Sequence, residues 1–259
     1  MVCACAAALA VPALALAGSG GGGLLAPAGS QSSASSGSGA AGNSGNSGST
    51  GSTQPGNVSV TSTAGGMSIV TRSSALLANG LKFSGTAPSQ DAGKTIVIER
   101  SGHQTNWAWA PTVQARVASD GSFSAVWNTN HIGKFSIRAV LSSGQPSGAT
   151  TSADSSDWPT VTVIVYRPSV ASWYGDAGST TACGQVLHKN TLGVANKTLP
   201  CGTQVAFYYQ GRSITVPVID RGPYVNGRDW DLTRAAAKLL KIDGVATVGA
   251  VSLPRQPSS

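Results

Sequence analysis

Charge is missing from the first quarter of the chain, since residues 1–66 contain no Asp, Glu, Lys or Arg. Residues 4–17 are apolar and end in small residues, although the positively charged start of most signal peptides is absent. The run is short and contains Pro12, which disfavours a membrane-spanning helix. No cysteine follows it where lipid attachment would need one, which excludes a lipoprotein. We expect residues 1–17 to be a signal peptide, and the protein to be secreted or wall-located without stable membrane insertion.

Large apolar side chains are scarce in the next segment, residues 18–66. It consists mostly of Gly, Ser, Ala, Thr and Asn. Such a composition buries too little apolar surface to offset the entropy lost when a backbone is ordered. The segment is predicted to be a disordered Gly/Ser-rich linker without a binding role.

Cysteine is also scarce, and two of the four cysteines fall in the expected signal peptide. The remaining pair, Cys183 and Cys201, has 17 intervening residues, and an exported protein would oxidise it. A disulfide of this span stabilises a fold by about 3 kcal/mol in the chain-entropy model. His188 lies between the two cysteines and raises the alternative of a metal site, but a third and a fourth ligand are missing. We expect a disulfide, no metal and no cofactor.

Acidic residues are few, and the net charge of +7 suggests a polyanionic partner. Nucleic acid is the usual partner of a basic protein, but an exported chain with a disulfide rarely meets it. Bacterial wall polymers are polyanionic as well. The basic residues are dispersed, so simple solvation is an alternative. We expect peptidoglycan or another wall polysaccharide as partner, no nucleic acid, and a monomer.

Short segments of alternating apolar and polar residues fill residues 67–166. Phe123, Ala125 and Trp127 share one face of a strand, and the odd-numbered valines at 161–165 share a face of the last one. Turns rich in Gly, Asp and Ser separate these segments, which is typical of an antiparallel immunoglobulin-like β-sandwich. Further strands are predicted at 81–85, 95–100, 114–119 and 134–141.

The aromatic residues of this region have two possible roles. Trp107, Trp109 and Trp127 could stack on sugars, but packing in the core or at a sheet edge is the commoner role. His103 and His131 have no acid or cysteine at metal-ligand spacing. We expect the region to space or bind, without chemistry of its own.

The chemistry is predicted to lie at Asp220, directly after an apolar strand at 213–219. Gly222 and Pro223 force a turn there, which exposes an acid at a strand end. An Ala-rich helix is predicted at 233–240, with its apolar side formed by residues 235, 236, 239 and 240.

Five motifs in order give this C-terminal region a specific resemblance. They are ASWYG at 171–175, TACG at 181–184, KTLPCGT at 197–203, DRGPY at 220–224 and DLTRAAA at 231–237. Together they resemble the rare lipoprotein A (RlpA)-like double-psi β-barrel family. The resemblance implies a six-stranded barrel at 167–255 and an exported role at peptidoglycan, where family members are lytic transglycosylases. Expansins, which loosen walls without evident hydrolysis, share the barrel.

The resemblance also assigns site residues. Asp220 matches the acid of the DRGP motif, and Asp231 matches the acid shared with expansins; both are expected to be catalytic. The family's glutamate and histidine are replaced by Gln185 and Asn196, which cannot exchange a proton near neutral pH. These two side chains are expected to contact substrate instead.

Arg221, Tyr224 and Trp230 complete the expected substrate-binding set. Trp173 and Tyr174 could join Tyr224 and Trp230 in a sugar-stacking platform. At least one of these four aromatics is expected in the core, with Trp173 the first choice.

Each acid also has a purely structural alternative. Asp231 could favour the N-terminus of the helix, and Asp220 could pair with Arg221 to hold the turn.

Two functions follow from this pattern. The first is an RlpA-like lytic transglycosylase with a weakened site, in which one carboxyl serves as acid and then as base. The second is a non-catalytic, expansin-like protein that binds wall glycan. A purely structural exported protein is a third class, because fold alone does not fix function.

Overall fold

The computed structural model describes residues 54–55, 57–142, 157–175 and 177–255 of the chain. The predicted signal peptide and most of the predicted linker lie outside these residues. The described residues fall within one compact unit. They form fifteen strands and one α-helix. In chain order these are β1 (Gln54–Pro55), β2 (Ser59–Ala64), β3 (Met67–Arg72), β4 (Ser74–Leu76), β5 (Gly80–Thr86), β6 (Thr95–Ser101), β7 (Ala110–Arg116), β8 (Ser122–Asn128), β9 (Gly133–Leu141), β10 (Thr160–Tyr174), β11 (Val194–Ala195), β12 (Gln204–Tyr209), β13 (Arg212–Asp220), β14 (Trp230–Thr233), α1 (Arg234–Leu240) and β15 (Ala246–Leu253).

Two sheets stack over a common core in the N-terminal part of this unit. One is antiparallel in the order β2-β3-β5-β8. The other runs β7-β6-β9-β10, with β4 added parallel to β10. Each strand sends alternate side chains inward, as in β8, where Phe123, Ala125 and Trp127 are buried. They meet Ile96, Phe135 and other apolar residues of the facing sheet in one cluster.

The predicted strand at 114–119 starts and ends too late. β7 occupies Ala110–Arg116, and residues after Val117 belong to the turn into β8. In that turn the Ala118 N–H donates to the Ser122 carbonyl over 2.8 Å. The turn residues Asp120 and Gly121 set this boundary, because they need a bend that a strand cannot accommodate.

The predicted linker extends too far as well, because β2 lies inside it. β2 pairs with β3 along its whole length, from Ser59 opposite Arg72 to Ala64 opposite Met67. The connection is Gly65-Gly66, with φ of 55° and 74°, values that suit a two-residue hairpin turn. Backbone hydrogen bonds to β3 hold this polar strand, so it needs little apolar surface of its own.

Six strands close into a barrel in the C-terminal part. The order is β14-β11-β13-β12-β15-β10, and β10 pairs with β14 to complete the ring. The β10–β14 and β11–β13 pairs are parallel and the other four are antiparallel. Phe207, Val216 and Leu232 are fully buried inside. The predictions of a mainly β protein and of a six-stranded barrel are therefore confirmed.

The helix α1 covers one side of the barrel. Thr233 is its N-cap, and the Thr233 hydroxyl accepts a hydrogen bond from the Ala236 N–H over 3.3 Å. The buried face contains Ala236, Ala237 and Leu240, so the predicted apolar side omitted Ala237. Asp231 lies in β14, two residues before this cap, so Thr233 and not Asp231 caps the helix.

One strand, β10, belongs to both parts of the unit. Its first half pairs with β9 and its second half with β15 and β14. Where it passes from one part to the other, Tyr166 is buried and packs with Ala206 and Val251. Its ring stacks on Tyr208 with a centroid distance of 5.8 Å. Across residues 57–142, 157–175 and 177–255, none of the helices has the length and apolar content to cross a membrane.

Candidate functional site

Pairing among four adjacent barrel strands places the two predicted acids at the same height along the barrel. Asp220 is the last residue of β13, and Asp231 is the second residue of β14. Both pair with Ala195 of the short strand β11 between them. Ser172 of β10 pairs with Asp231 on the other side. Two strand spacings put the backbones of the two acids roughly 10 Å apart, so their side chains can face one bound group.

The Asp220 carboxylate is fixed by backbone donors. Its Oδ1 atom accepts from the Ala182 N–H and from the Arg221 N–H, each over 2.8 Å. Ala182 belongs to the loop after β10, so this loop is tied to the end of β13. Asp220 is half-exposed, which leaves room for a ligand to approach it.

The Arg221 guanidinium points to the main chain of a neighbouring loop. Its Nη1 atom donates to the carbonyls of Leu199 and Asn196 at 3.0 and 3.3 Å, and its Nη2 atom lies 3.4 Å from the Cys201 Sγ. In the described part of the chain it forms no ion pair with the Asp220 carboxylate. The alternative in which Asp220 pairs with Arg221 to hold the turn is met only through the Arg221 N–H, and not through the two side-chain charges. Arg221 orders the loop beside the acid.

Asp231 lies in surroundings that raise the pKa of its carboxyl. Burial raises the pKa of Asp231, and the nearby negative charge of Asp220 adds to this. A hydrogen bond from the Ser172 hydroxyl, 2.7 Å long, and the charge of Arg228 act in the opposite direction. The net shift is upward, which is the direction that a general acid needs.

Tyr174, at the end of β10, lies close to both acids. Burial raises the pKa of Tyr174 well above its usual range, and the negative charges of Asp220 and Asp231 raise it further. Its hydroxyl oxygen is buried near the Asp220 carboxylate, outside good hydrogen-bonding geometry to any described residue. It remains protonated beside Asp220. The sequence pointed to Tyr174 only as a stacking ring; its position at a strand end within the WYG motif was the available signal for a role beside the acids.

Gln185 and Asn196, predicted to stand at the family's proton-exchanging positions, differ in their surroundings. The Asn196 Oδ1 atom accepts from the N–H groups of Thr198 and Leu199, at 3.1 and 2.9 Å, and so caps the turn that follows β11. Gln185 is exposed in a small hairpin, where its carbonyl accepts from the Thr181 N–H over 2.8 Å. Neither side chain has a proton to exchange near neutral pH.

The aromatic side chains separate into buried and exposed ones. Trp230 is only 6 % exposed and packs edge-on against Phe207 inside the barrel, 5.3 Å between centroids. Its predicted contact with substrate is therefore wrong, because alternation along β14 turns residue 230 inward when Asp231 faces the site. Trp173 is half-buried beneath the Arg234 guanidinium, so the core aromatic is Trp230 instead. Tyr224 is 80 % exposed and free to stack on a ligand.

The predicted disulfide between Cys183 and Cys201 is confirmed, with a Cα–Cα distance of 5.9 Å. It joins the loop that binds Asp220 to the loop that holds Arg221. With both sulfur atoms bonded to each other, they cannot serve as metal ligands.

Comparison with known proteins finds relatives of the barrel. Residues 168–251 match the family described as lytic transglycolase. The barrel is therefore an RlpA-like double-psi β-barrel. The endolytic peptidoglycan transglycosylase RlpA of Campylobacter jejuni is 40 % identical over 95 residues, which are 35 % of this chain and 34 % of that protein. RlpA of Yersinia pestis is 47 % identical over 77 residues, 28 % of this chain and 21 % of that protein.

Among solved structures, the Streptomyces papain inhibitor matches with 28 % identity and a TM-score of 0.29, covering 34 % of this chain and 93 % of the inhibitor. The RlpA-like barrel thus accounts for about a third of this chain and spans about a third or less of the RlpA proteins named above.

Proposed function

We propose that this chain is an exported cell-wall protein whose barrel cleaves peptidoglycan glycan strands as a weakened, RlpA-like lytic transglycosylase. The observation that carries the proposal is the pairing of Asp220 and Asp231 across Ala195, with Asp231 shifted toward its protonated form. The names of the relatives, endolytic peptidoglycan transglycosylases, support the substrate class.

The reaction would need one proton donor and one proton acceptor. Asp231 would protonate the glycosidic oxygen as the bond from C1 to that oxygen breaks. The substrate's own C6 hydroxyl would attack C1 and give a 1,6-anhydro product, so no water-activating group is needed. Asp220, which two backbone N–H groups hold in place, would accept the proton from the C6 hydroxyl. The Tyr174 hydroxyl, buried near Asp220, would orient that carboxylate.

The site is weaker than that of a family member with all its proton-exchanging residues. Gln185 and Asn196 stand where the family has a glutamate and a histidine, and loss of one acid–base partner typically costs 10²–10⁴ in rate. Asn196 is also engaged in its turn. We therefore expect slow release of product.

The remaining parts of the chain would deliver the barrel to the wall. Residues 1–17 would direct export, and the segment from residue 18 to the start of β1, which pairs with β13 of the barrel, would act as a spacer. The two stacked sheets, from β2 to the first half of β10, would form an immunoglobulin-like β-sandwich that holds the barrel away from the chain's N-terminus. The protein would act as a monomer at the cell wall.

The test is incubation with purified peptidoglycan, followed by mass spectrometry for anhydro-muropeptides. The wild type is expected to release a small amount of product, and Asp220→Asn none. Tyr224→Ala should weaken pelleting with insoluble peptidoglycan, whereas Asp220→Asn should pellet like the wild type. The basic net charge predicts that pelleting also weakens as salt rises.

A second candidate function is that of a non-catalytic, expansin-like protein that binds wall glycan. The amide side chains of Gln185 and Asn196 favour it, because they have no proton to exchange near neutral pH. It predicts pelleting without any release of anhydro product. If the wild type binds the wall but releases no product above the buffer control, the enzyme proposal fails and the binding-protein proposal stands.

A further inference from the structure

A cleft lies where the two stacked sheets meet the barrel, away from Asp220. Its volume is about 210 Å³, which is room for a sugar ring. Three segments line it: the loop after β6, the start of β9, and the end of β15. We call this site the junction cleft, and its lining residues include His103, Gln104, Trp107, Ile132, Lys134 and Leu253.

Trp107 is held in the cleft wall by a strained backbone. Its φ is 63°, directly after Asn106 at 49°, in the left-handed region that bulky residues avoid. The Trp107 N–H donates to the Gly102 carbonyl over 2.9 Å, and the Ser101 hydroxyl donates to the Trp107 carbonyl over 2.7 Å. Such a conformation is strained and is found disproportionately at binding sites.

The other two tryptophans of this region are already covered. Trp127 is 4 % exposed in the core. Trp109 lies under the Arg138 guanidinium, 4.2 Å from its ring centroid. Trp107 is half-buried at the cleft wall, so its ring is the one that a ligand in the cleft can contact.

The polar groups around Trp107 suit a carbohydrate that carries acids. The Gln104 side-chain amide is oriented by donating to the Ile132 carbonyl over 2.8 Å. Lys134 is exposed, and its ammonium forms no ion pair within the described ranges. An aromatic face for the C–H side of a sugar, an oriented amide and a cation are the groups that bind an acidic saccharide.

The strand register places this cleft within reach of the same chain that Asp220 would contact. Leu253 of β15 pairs with Gln204, and Gln204 pairs with Pro217, three residues before Asp220. Leu253 and Asp220 are therefore two strands and three residues apart, which places their backbones at a distance of roughly 14 Å. A polysaccharide spans this distance, and a single sugar does not.

We propose that the junction cleft is a second saccharide site, centred on Trp107, that binds a distant part of the glycan strand cleaved at Asp220. The occupant is a peptidoglycan strand whose carboxylate substituents meet Lys134. This inference rests on the proposed function and adds a role in binding for residues outside the barrel.

The experiment compares binding of short and long glycan strands, freed of stem peptides, by isothermal titration calorimetry. Short strands occupy one site, and long strands reach both. The wild type should bind long strands roughly tenfold more tightly, the worth of one aromatic contact of about 1.4 kcal/mol. Trp107→Gly should abolish this advantage and leave short-strand binding unchanged. Glycine adopts positive φ without strain, so the variant should fold; Trp107→Asn, which also tolerates that region, is the second variant.

Trp109→Ala is the matched control, since it removes a nearby tryptophan that Arg138 already covers, and it should keep the advantage of long strands. The inference is overturned if Trp107→Gly and Trp107→Asn keep that advantage, if Trp109→Ala loses it equally, or if the wild type binds both lengths alike. If the wild type binds strands of neither length, the proposed function fails as well, which separates the two outcomes.

Discussion

At the scale of single residues, two carboxyl groups of the same type receive different surroundings. Asp231 is half-buried and accepts a hydrogen bond from the Ser172 hydroxyl. Asp220 is held at the open end of β13 by two backbone donors. Pairs of acids whose environments differ in this way divide the roles of acid and base.

The raised pKa of Asp231 predicts a pH-dependent stability difference for Asp231→Asn. The Asp231 carboxyl binds a proton more tightly in the folded state than in the unfolded state. At a pH above the folded-state pKa, Asp231 therefore lowers the free energy of unfolding. At a pH below the unfolded-state pKa of about 4, this destabilisation is absent. The variant should melt at a higher temperature than the wild type at neutral pH. The gain should shrink as pH falls through the folded pKa of Asp231. Melting curves measured by circular dichroism from neutral pH to pH 4 would check this, and a gain that grows on acidification would contradict it.

Tyr174→Phe should separate catalysis from stability. The buried hydroxyl lies near the Asp220 carboxylate but outside good hydrogen-bonding geometry, so its removal should leave the melting temperature unchanged or higher. If the hydroxyl orients the Asp220 carboxylate for proton transfer, product release should fall by roughly 10²-fold. Anhydro-muropeptide yield and melting temperature, measured on one preparation, decide between these roles. Unchanged yield would assign Tyr174 to packing alone.

Introducing a glutamate and a histidine at residues 185 and 196 is the sharpest test of the proposed weakened site. Gln185→Glu with Asn196→His should raise product yield by on the order of 10²-fold if an acid–base partner is recovered. Asn196 Oδ1 accepts two backbone hydrogen bonds, and an imidazole cannot accept both. The double variant should therefore lose roughly 1–2 kcal/mol of stability. Gln185→Glu alone is the control, with stability unchanged. A double variant that folds and stays inert would show that the groove has diverged elsewhere.

At the scale of strands and loops, the alternation of apolar and polar residues predicted most of the architecture. It missed the features that depend on pairing between distant segments. The inward positions of β8 followed from Phe123, Ala125 and Trp127 because they repeat every second residue. β2 was missed because its stability comes from hydrogen bonds to β3. The motifs identified the barrel, but pairing of Asp220 and Asp231 with Ala195 depends on contacts between distant segments. The same strand pairing turns the Trp230 side chain into the barrel, whereas its aromatic character alone had suggested a ring that stacks on sugars.

The disulfide ties together the two loops that flank Asp220. Replacing Cys183 and Cys201 by serine should cost about 3 kcal/mol in the chain-entropy model. The larger consequence should be functional, because the loop after β10 supplies the Ala182 N–H that orients Asp220. Denaturant unfolding and product release would both be measured. If stability falls while product release stays at the wild-type level, the bridge is structural only and does not position the site.

At the scale of the whole unit, a continuous strand joins the stacked sheets to the barrel. β10 contributes to both without a break, from Thr160 to Tyr174. Its central residue at the crossing, Tyr166, is 2 % exposed and stacks on Tyr208. Gly249 allows this close approach, since a Cβ there would lie 2.8 Å from the Tyr166 Cβ.

This arrangement predicts that the two parts unfold together. A shared strand and a shared apolar contact make separate unfolding costly, because either part alone would expose the unpaired half of β10. Differential scanning calorimetry of the wild type should show one transition. Tyr208→Ala removes the stacked ring from the barrel side of the contact and should separate it into two, whereas Tyr224→Ala, which changes an exposed ring, should leave one. Two transitions in the wild type would mean that β10 acts as a tether, and the junction cleft would then lack the fixed wall that a saccharide site needs.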